Sequence, residues 1–426
     1  MASAHLKNAR KLENLRIAWR GVRTNGLASK SDETRKGIQK FDENADKNLR
    51  SLQYRLSRER FKFPPARGVL LLKPGKKNIR PLVIADIETR IVQRTILNLL
   101  QSIEALHPWF RNPHSFGGIK KLEDEEFGAV PAAINAVVDA IGAGANYVAC
   151  ADISAFFTRI SKSTVSDIVG QAIGDDDFLA FFCQAIDVEL SNLAALRKHA
   201  DRFPTGDLGV AQGSALSPLL GNIMLADFDR QMNQGDCRCI RYIDDFIILG
   251  PTAGAVQARL RLAGKILKEL GMSFALNKTS ANAIPVTSRF EFLGIEFNNS
   301  LIRPCKKARE KFLSALSATL DQGRNALVGY RNGQPLQKAD AFIGTLKKAD
   351  GIIQGWGKHY WFCNDDWCFE HLDKEVAKLV RSYWGFYNNE RNSCPERAPI
   401  MLGIEMLSSL KRKPLIWPKT SFARAA

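Results

Sequence analysis

The chain has 426 residues, 45% of them hydrophobic, and a formal net charge of +17. That is enough apolar matter for roughly two to four cored domains or subdomains, while no run of about 20 apolar residues offers a membrane-spanning helix. The charged N-terminus "MASAHLKNARKLENLRIAWRG" lacks the apolar core of a signal peptide, and the eight cysteines show no regular spacing, so the expectation is a soluble cytoplasmic protein with free thiols.

The charge is uneven. Residues 1–60 carry 15 Lys/Arg against 7 Asp/Glu, residues 61–302 carry 25 of each, and residues 303–426 carry 21 against 12. Two basic ends around a neutral centre suit a polyanion gripped from both sides, with chemistry between; the plainer reading is basic helices that aid solubility.

In chain order, residues 1–60 alternate charged and apolar positions and predict basic helices. "FKFPPARGVLLLKPGKKNIRPLVI" (61–84) predicts two strands joined by a Pro-Gly-Lys-Lys-Asn turn. Residues 86–107 place apolar side chains at a helical period. "NYVACADISAFFTRI" (146–160) reads as a strand leading into a helix, and "GVAQGSALSPLLGNIMLADFDRQM" (209–232) as a Gly/Ser loop continuing into an apolar helix. "CIRYIDDFIILG" (239–250) predicts a buried β-hairpin, followed by a helix over 253–270. "SRFEFLGIEF" (288–297) reads as a short strand pair. From 306 to about 390 the pattern is helical, with Gly323 as a stop signal. No linker or repeat interrupts the chain.

The hairpin poses a physical problem, because Asp244 and Asp245 sit in the middle of an apolar run. Burying an unpaired carboxylate costs several kcal/mol even after relaxation. The bland solution is a surface turn that uses its Asp pair locally. The sharper one adds Asp152, at the end of the apolar strand "YVACADIS". Three carboxylates at the tips of neighbouring strands form a hard-oxygen site suited to Mg²⁺ and substrate phosphates. A zinc site around His359, Cys363, Cys368 and His371 is disfavoured by its spacing.

The segments "ADISAFF", "QGSALSPLLGNI", "RYIDDFIIL" and "FEFLGIEF" occur in the order and spacing of reverse transcriptases. Together with "KPGKKNIRPLVI", "RIVQRTI", "HSFGG" and "IIQGWGKHYWF", they make residues 55–375 resemble bacterial enzymes of the group II intron-like lineage. The resemblance is greatest to standalone "unknown group" reverse transcriptases tied to phage defence. It implies an α+β right-hand fold: a basic helical extension (1–60), fingers (61–145), a palm of antiparallel sheet plus helices (146–302), an α-helical thumb (303–390) and a tail (391–426).

The same resemblance implies the site. Asp152, Asp244 and Asp245 would be the catalytic acids and, with Ile153, the metal-binding set for two Mg²⁺ ions. Ala155 and Phe156 would turn backbone amides to the triphosphate of a dNTP. Phe157 would be the aromatic gate beneath the sugar, its alternative being an ordinary core Phe. Lys73 and Arg80 would grip phosphates. Gln212 and Gly213 would lie against the nucleotide and the template base, and Lys278 would serve the leaving pyrophosphate or be a plain surface lysine. Phe292, Leu293 and Gly294 resemble a primer grip, and Arg241 reads as structural. Trp356, Tyr360 and Trp361 are packed helix core or a duplex-tracking surface.

The implied partners are an RNA template, in particular a structured noncoding RNA, and the cDNA and RNA–DNA hybrid made from it. Rivals are an RNA-dependent RNA polymerase, which the aromatic at 157 and the "QG" loop disfavour, a group II intron or retron enzyme, and a non-catalytic scaffold. The retron hallmarks and a His/Asn nuclease pattern are not apparent.

Overall fold

The computed structural model describes residues 4–72, 79–121, 125–407, 410–413 and 415–416. These form two compact units that divide between Ser288 and Arg289.

The first unit begins with four helices, α1 (Ala4–Ala9), α2 (Leu12–Leu27), α3 (Asp32–Asp42) and α4 (Ala45–Ser57). Their apolar positions recur at helical spacing, so that Leu15, Ala18, Trp19 and Val22 of α2 are all buried. Much of the positive charge here is matched internally: Arg16 and Arg50 share Asp46, and Arg23 pairs with Asp42. Lys7, Lys11, Arg20, Lys40 and Lys47 remain exposed.

Strands β1 (Arg67–Leu72) and β2 (Ile79–Ile84) pair antiparallel. Helix α5 (Ile87–Ser102) follows, its N-cap Asp86 accepting from the Glu88 and Thr89 amides, and then the short α6 (His107–Phe110). The central sheet is built from β3 (Ser115–Phe116), β4 (Tyr147–Asp152), β5 (Arg238–Tyr242), β6 (Asp245–Gly250) and β7 (Ile284–Pro285), in the order β3-β5-β6-β4-β7. Around it run α7 (Ala129–Gly142), α8 (Lys162–Ile173), α9 (Asp176–Ile186), α10 (Leu193–Leu196), α11 (Ser217–Met224), α12 (Ala226–Met232) and α13 (Ala253–Glu269). The result is a mixed α/β fold, a central mixed sheet flanked by helices, with one large core that includes Phe178, Phe182, Phe228 and Phe246.

Two expectations need correction here. The sheet is not purely antiparallel, because β3 pairs parallel with β5. Residues 146–160 also do not pass straight into a helix. After Asp152 the chain turns through Ala155, in the left-handed region at φ +50°, and makes a single 3₁₀ turn before Ser161 caps α8.

The second unit holds a three-stranded antiparallel sheet, β8 (Phe290–Phe292), β9 (Ile295–Asn298) and β10 (Leu301–Pro304). Four helices follow, α14 (Lys306–Arg331), α15 (Phe342–His359), α16 (Asp366–Ser393) and α17 (Ala398–Leu402). Gly323 does not stop α14. A Cβ there would come within 2.6 Å of Thr345 and of the Tyr383 hydroxyl, so the glycine serves close helix approach. Trp356 stacks on Phe312 at 4.6 Å and Tyr360 is buried, as packed core, whereas Trp361 is exposed. Among the described residues no helix is long and apolar enough to cross a membrane, and none of the eight cysteines forms a disulfide.

Candidate active site

The ladder between β4 and β6 runs in unbroken antiparallel register from Tyr147 opposite Gly250 to Asp152 opposite Asp245. Directly opposed residues share a face, so the last rung sets two carboxylates side by side. The β5–β6 hairpin turns through Ile243 and Asp244, and the Asp244 backbone carbonyl accepts a 2.9 Å hydrogen bond from the Ile153 amide. The three acids therefore meet at one end of the sheet.

Ile243 has φ +62°, at the turn position that normally takes glycine. A β-branched residue there stores strain of about 1–3 kcal/mol and persists only where its surroundings impose it. Arg241, 0% exposed, is what imposes it. Its Nη1 donates to the Ile243 carbonyl at 2.8 Å and to Asn222 Oδ1 at 3.0 Å. Its Nε and Nη2 form a fork on Asp229 at 2.7 and 2.6 Å, and Nη2 also donates to Ser115 Oγ at 2.6 Å. Asn222 in turn donates to the Gly117 carbonyl at 3.0 Å. Residues from "HSFGG", "LLGNI" and "RYIDD" thus converge on one guanidinium, which is structural as expected. Sequence reasoning reads Arg241 as structural, but nothing in the sequence marks Ser115 or Asp229 as its partners.

The electrostatics are those of an underpaired acid cluster. Burial, then the charges of Asp152 and Asp244, push the Asp245 carboxyl up to about 7. Burial, then Asp152, raises Asp244, with Lys278 and Arg80 opposing. Asp152 is buried and accepts a hydrogen bond from Lys278 Nζ. Three hard-oxygen carboxylates with a single ammonium between them fit a divalent cation by their chemistry. Among the described residues no group of three or more His, Cys, Asp or Glu is placed so that it could hold a metal ion as it stands.

A cleft of about 840 Å³ is lined by Asp152, Ile153, Asp244, Lys278, Arg80, Ala155, Phe156, Phe157, Gln212 and Gly213, among others. It brings together most of the residues singled out above. Phe156 is buried with its ring against Gly221, whereas Phe157 is half-buried; both line the cleft and both pack on the large core. The Gln212 carbonyl accepts from the Val83 amide at 3.0 Å. Gly213, at φ +119°, leaves no room for a Cβ, which would lie 2.9 Å from the Val83 oxygen. Lys73 lies outside the described residues. Phe292, Leu293 and Gly294 form the β8–β9 turn of the second unit, with Leu293 at φ +52° and Gly294 at φ +78°.

Other features escaped sequence reasoning. Arg159 and Arg202 also line the cleft, with no motif to announce them. Asn192 clamps β1 through both of its amide atoms, each 2.9 Å from a Gly68 backbone atom. A second cavity of about 510 Å³ shares Gly213, Ser214 and Pro218 with the cleft. It is lined by Arg90, Arg94, Lys120, Asn25 and Asn98, and by no acid. Burial pulls Arg90 below its ordinary range.

Residues 71–297, more than half of the chain, match the family described as "Reverse transcriptase (RNA-dependent DNA polymerase)". Protein YkfC of Escherichia coli (strain K12) is 27% identical over 170 residues, 40% of this chain and 41% of that protein. The telomerase reverse transcriptase of Canis lupus familiaris is 38% identical over 77 residues, 17% of this chain and 7% of that protein. The chain thus spans less than half the length of these curated relatives. Among solved structures, a partial Cas6-RT-Cas1–Cas2 complex is 19% identical, over 62% of this chain and 42% of that one, with a TM-score of 0.34. The matched span runs from β1 to β9 and takes in every strand that frames the three acids, so the chain belongs to the reverse transcriptase family.

Proposed function

We propose that this protein is an RNA-directed DNA polymerase that extends a primer with dNTPs along an RNA template. The observation that carries this reading is the register that sets Asp152 beside Asp245, with Asp244 in a cleft that also holds Arg80, Phe157, Gln212 and Gly213. When bound, two Mg²⁺ ions would activate the primer hydroxyl and neutralise developing phosphate charge. Asp152, Asp244 and Asp245 would hold them, with Ile153 alongside. Arg80 and Lys73 grip the β- and γ-phosphates, and the Ala155 and Phe156 amides face the triphosphate. Phe157 stacks under the sugar and excludes a 2′-OH, while Gln212 and Gly213 bear on the nucleotide and template base. The acid-free cavity beside Gly213 suits the backbone of unpaired template.

In this reading residues 61–145 are fingers, 146–302 palm and 303–390 thumb, and Phe292–Gly294 grip the primer. The narrower assignment, a defence enzyme copying a dedicated noncoding RNA, rests on the motif resemblance and the basic N-terminal 60 residues. Sequencing RNA that copurifies with the protein tests it, and bulk cellular RNA alone would remove it.

The test of the activity is primer extension on an RNA template with Mg²⁺. Wild type is expected to incorporate dNTPs, and Asp244→Asn with Asp245→Asn to lose synthesis while retaining RNA binding. Incorporation of rNTPs alone would replace this reading with RNA synthesis.

A further inference from the structure

Lys278 sits on the carboxylate that the proposed chemistry most needs for a metal ion. Its loop is stitched to β4 and the turn after it. The Ser154 amide donates to the Ser273 carbonyl, Ala275 to Asp152 and Ser280 to Cys150, each at 2.8 Å, while Cys150 donates back to Ser280 Oγ at 3.0 Å. The Lys278 amide closes the loop on the Ala275 carbonyl at 2.9 Å. The ammonium is therefore delivered to Asp152 by a fixed scaffold.

The two partners are unequally free. The Lys278 side chain is 47% exposed and that of Asp152 only 10%. The lysine can withdraw through the cleft it lines, and the carboxylate cannot follow. One ammonium also faces three neighbouring carboxyl groups, leaving the site able to gain more from a divalent ion.

We propose that Lys278 is an exchangeable counter-ion: it holds Asp152 in the metal-free enzyme and yields that carboxylate to an arriving divalent cation, freeing its ammonium for the nucleotide's phosphates. The inference rests on reading the three acids as a metal site. It makes Lys278 a competitor of the metal, so removing its charge removes both a rival for Asp152 and a repulsive neighbour of the ion.

Mn²⁺ binding to the full chain, followed by electron paramagnetic resonance without nucleic acid or nucleotide, tests this. Lys278→Met is expected to bind Mn²⁺ about five- to tenfold tighter than wild type. Its metal-free melting temperature should be lower, and Mn²⁺ should raise it further than in wild type. Lys278→Gln, which keeps a neutral donor, should tighten binding less and serves if the methionine variant does not fold. Lys278→Arg should stay close to wild type. Affinity unchanged or weakened in both neutral variants overturns the exchange. Asp152→Asn separates the two ideas: if it binds Mn²⁺ like wild type, the metal reading fails, whereas lost binding without tightening in the Lys278 variants sinks the exchange alone.

Discussion

Replacing Arg241 with methionine removes a fully buried guanidinium that makes five hydrogen bonds, two of them to Asp229. Methionine fills part of the volume, so the main loss is electrostatic: Asp229, 2% exposed, keeps its charge without its counter-ion. Breaking a buried pair from one side costs about 3–5 kcal/mol. At about 2–4 °C per kcal/mol for a large domain, melting should fall by about 6–20 °C. The double variant with Asp229→Asn, which leaves no orphaned charge, should recover about 2 kcal/mol relative to Arg241→Met alone. Denaturant melts of the four proteins in the cycle measure the coupling. Primer extension adds a second readout, because the Ile243 turn loses the donor that holds it at positive φ, so activity per folded molecule should also drop. A loss below about 1 kcal/mol, or strictly additive variants, would refute the view of Arg241 as the clamp beneath the acid turn.

Phe157→Val should raise rNTP incorporation relative to dNTP by roughly tenfold or more in single-nucleotide extension; an unchanged ratio would remove Phe157 from sugar selection. The pH response of the metal-free protein follows from Asp245, which titrates at about 7 when folded against an ordinary 3.8. Between those values the folded chain holds a proton that the unfolded chain has released, so stability should fall as pH rises from about 4 to 7 and level off above. Asp245→Asn should flatten that slope in melts run with a chelator.

How far the sequence could be read depended on the range of the forces involved. The 239–250 hairpin was legible because Ile240, Phe246, Ile247, Ile248 and Leu249 are an apolar run that only a buried sheet satisfies, and all are buried. The helix within 86–107 was legible from its period and appears as α5, which ends at Ser102 where Ile103 turns extended. The meeting of Asp152 with Asp245 was inferred from a motif pattern, since register between strands almost a hundred residues apart has no local signature. Gly323 misled for the same reason: a glycine that ends a helix and one that admits a neighbour look identical until Thr345 and Tyr383 are placed. Helices α8 and α9 carry no chemistry-bearing motif, and Lys162 bonding Asp187 at 2.9 Å could not be anticipated from either residue alone.

The six-rung ladder from Tyr147 to Asp152 also limits how this protein can diverge. Adding or deleting one residue within it would swing Asp152 to the opposite side of the sheet and turn its apolar neighbours toward water. Drift in this stretch is therefore confined to exchanges of side chain at constant length, and gains or losses of residues must be absorbed in loops. A length-variant library tiled across 140–160 should consequently lose function in a sharp block over 147–152, with tolerance returning toward the Gly142–Gly144 turn.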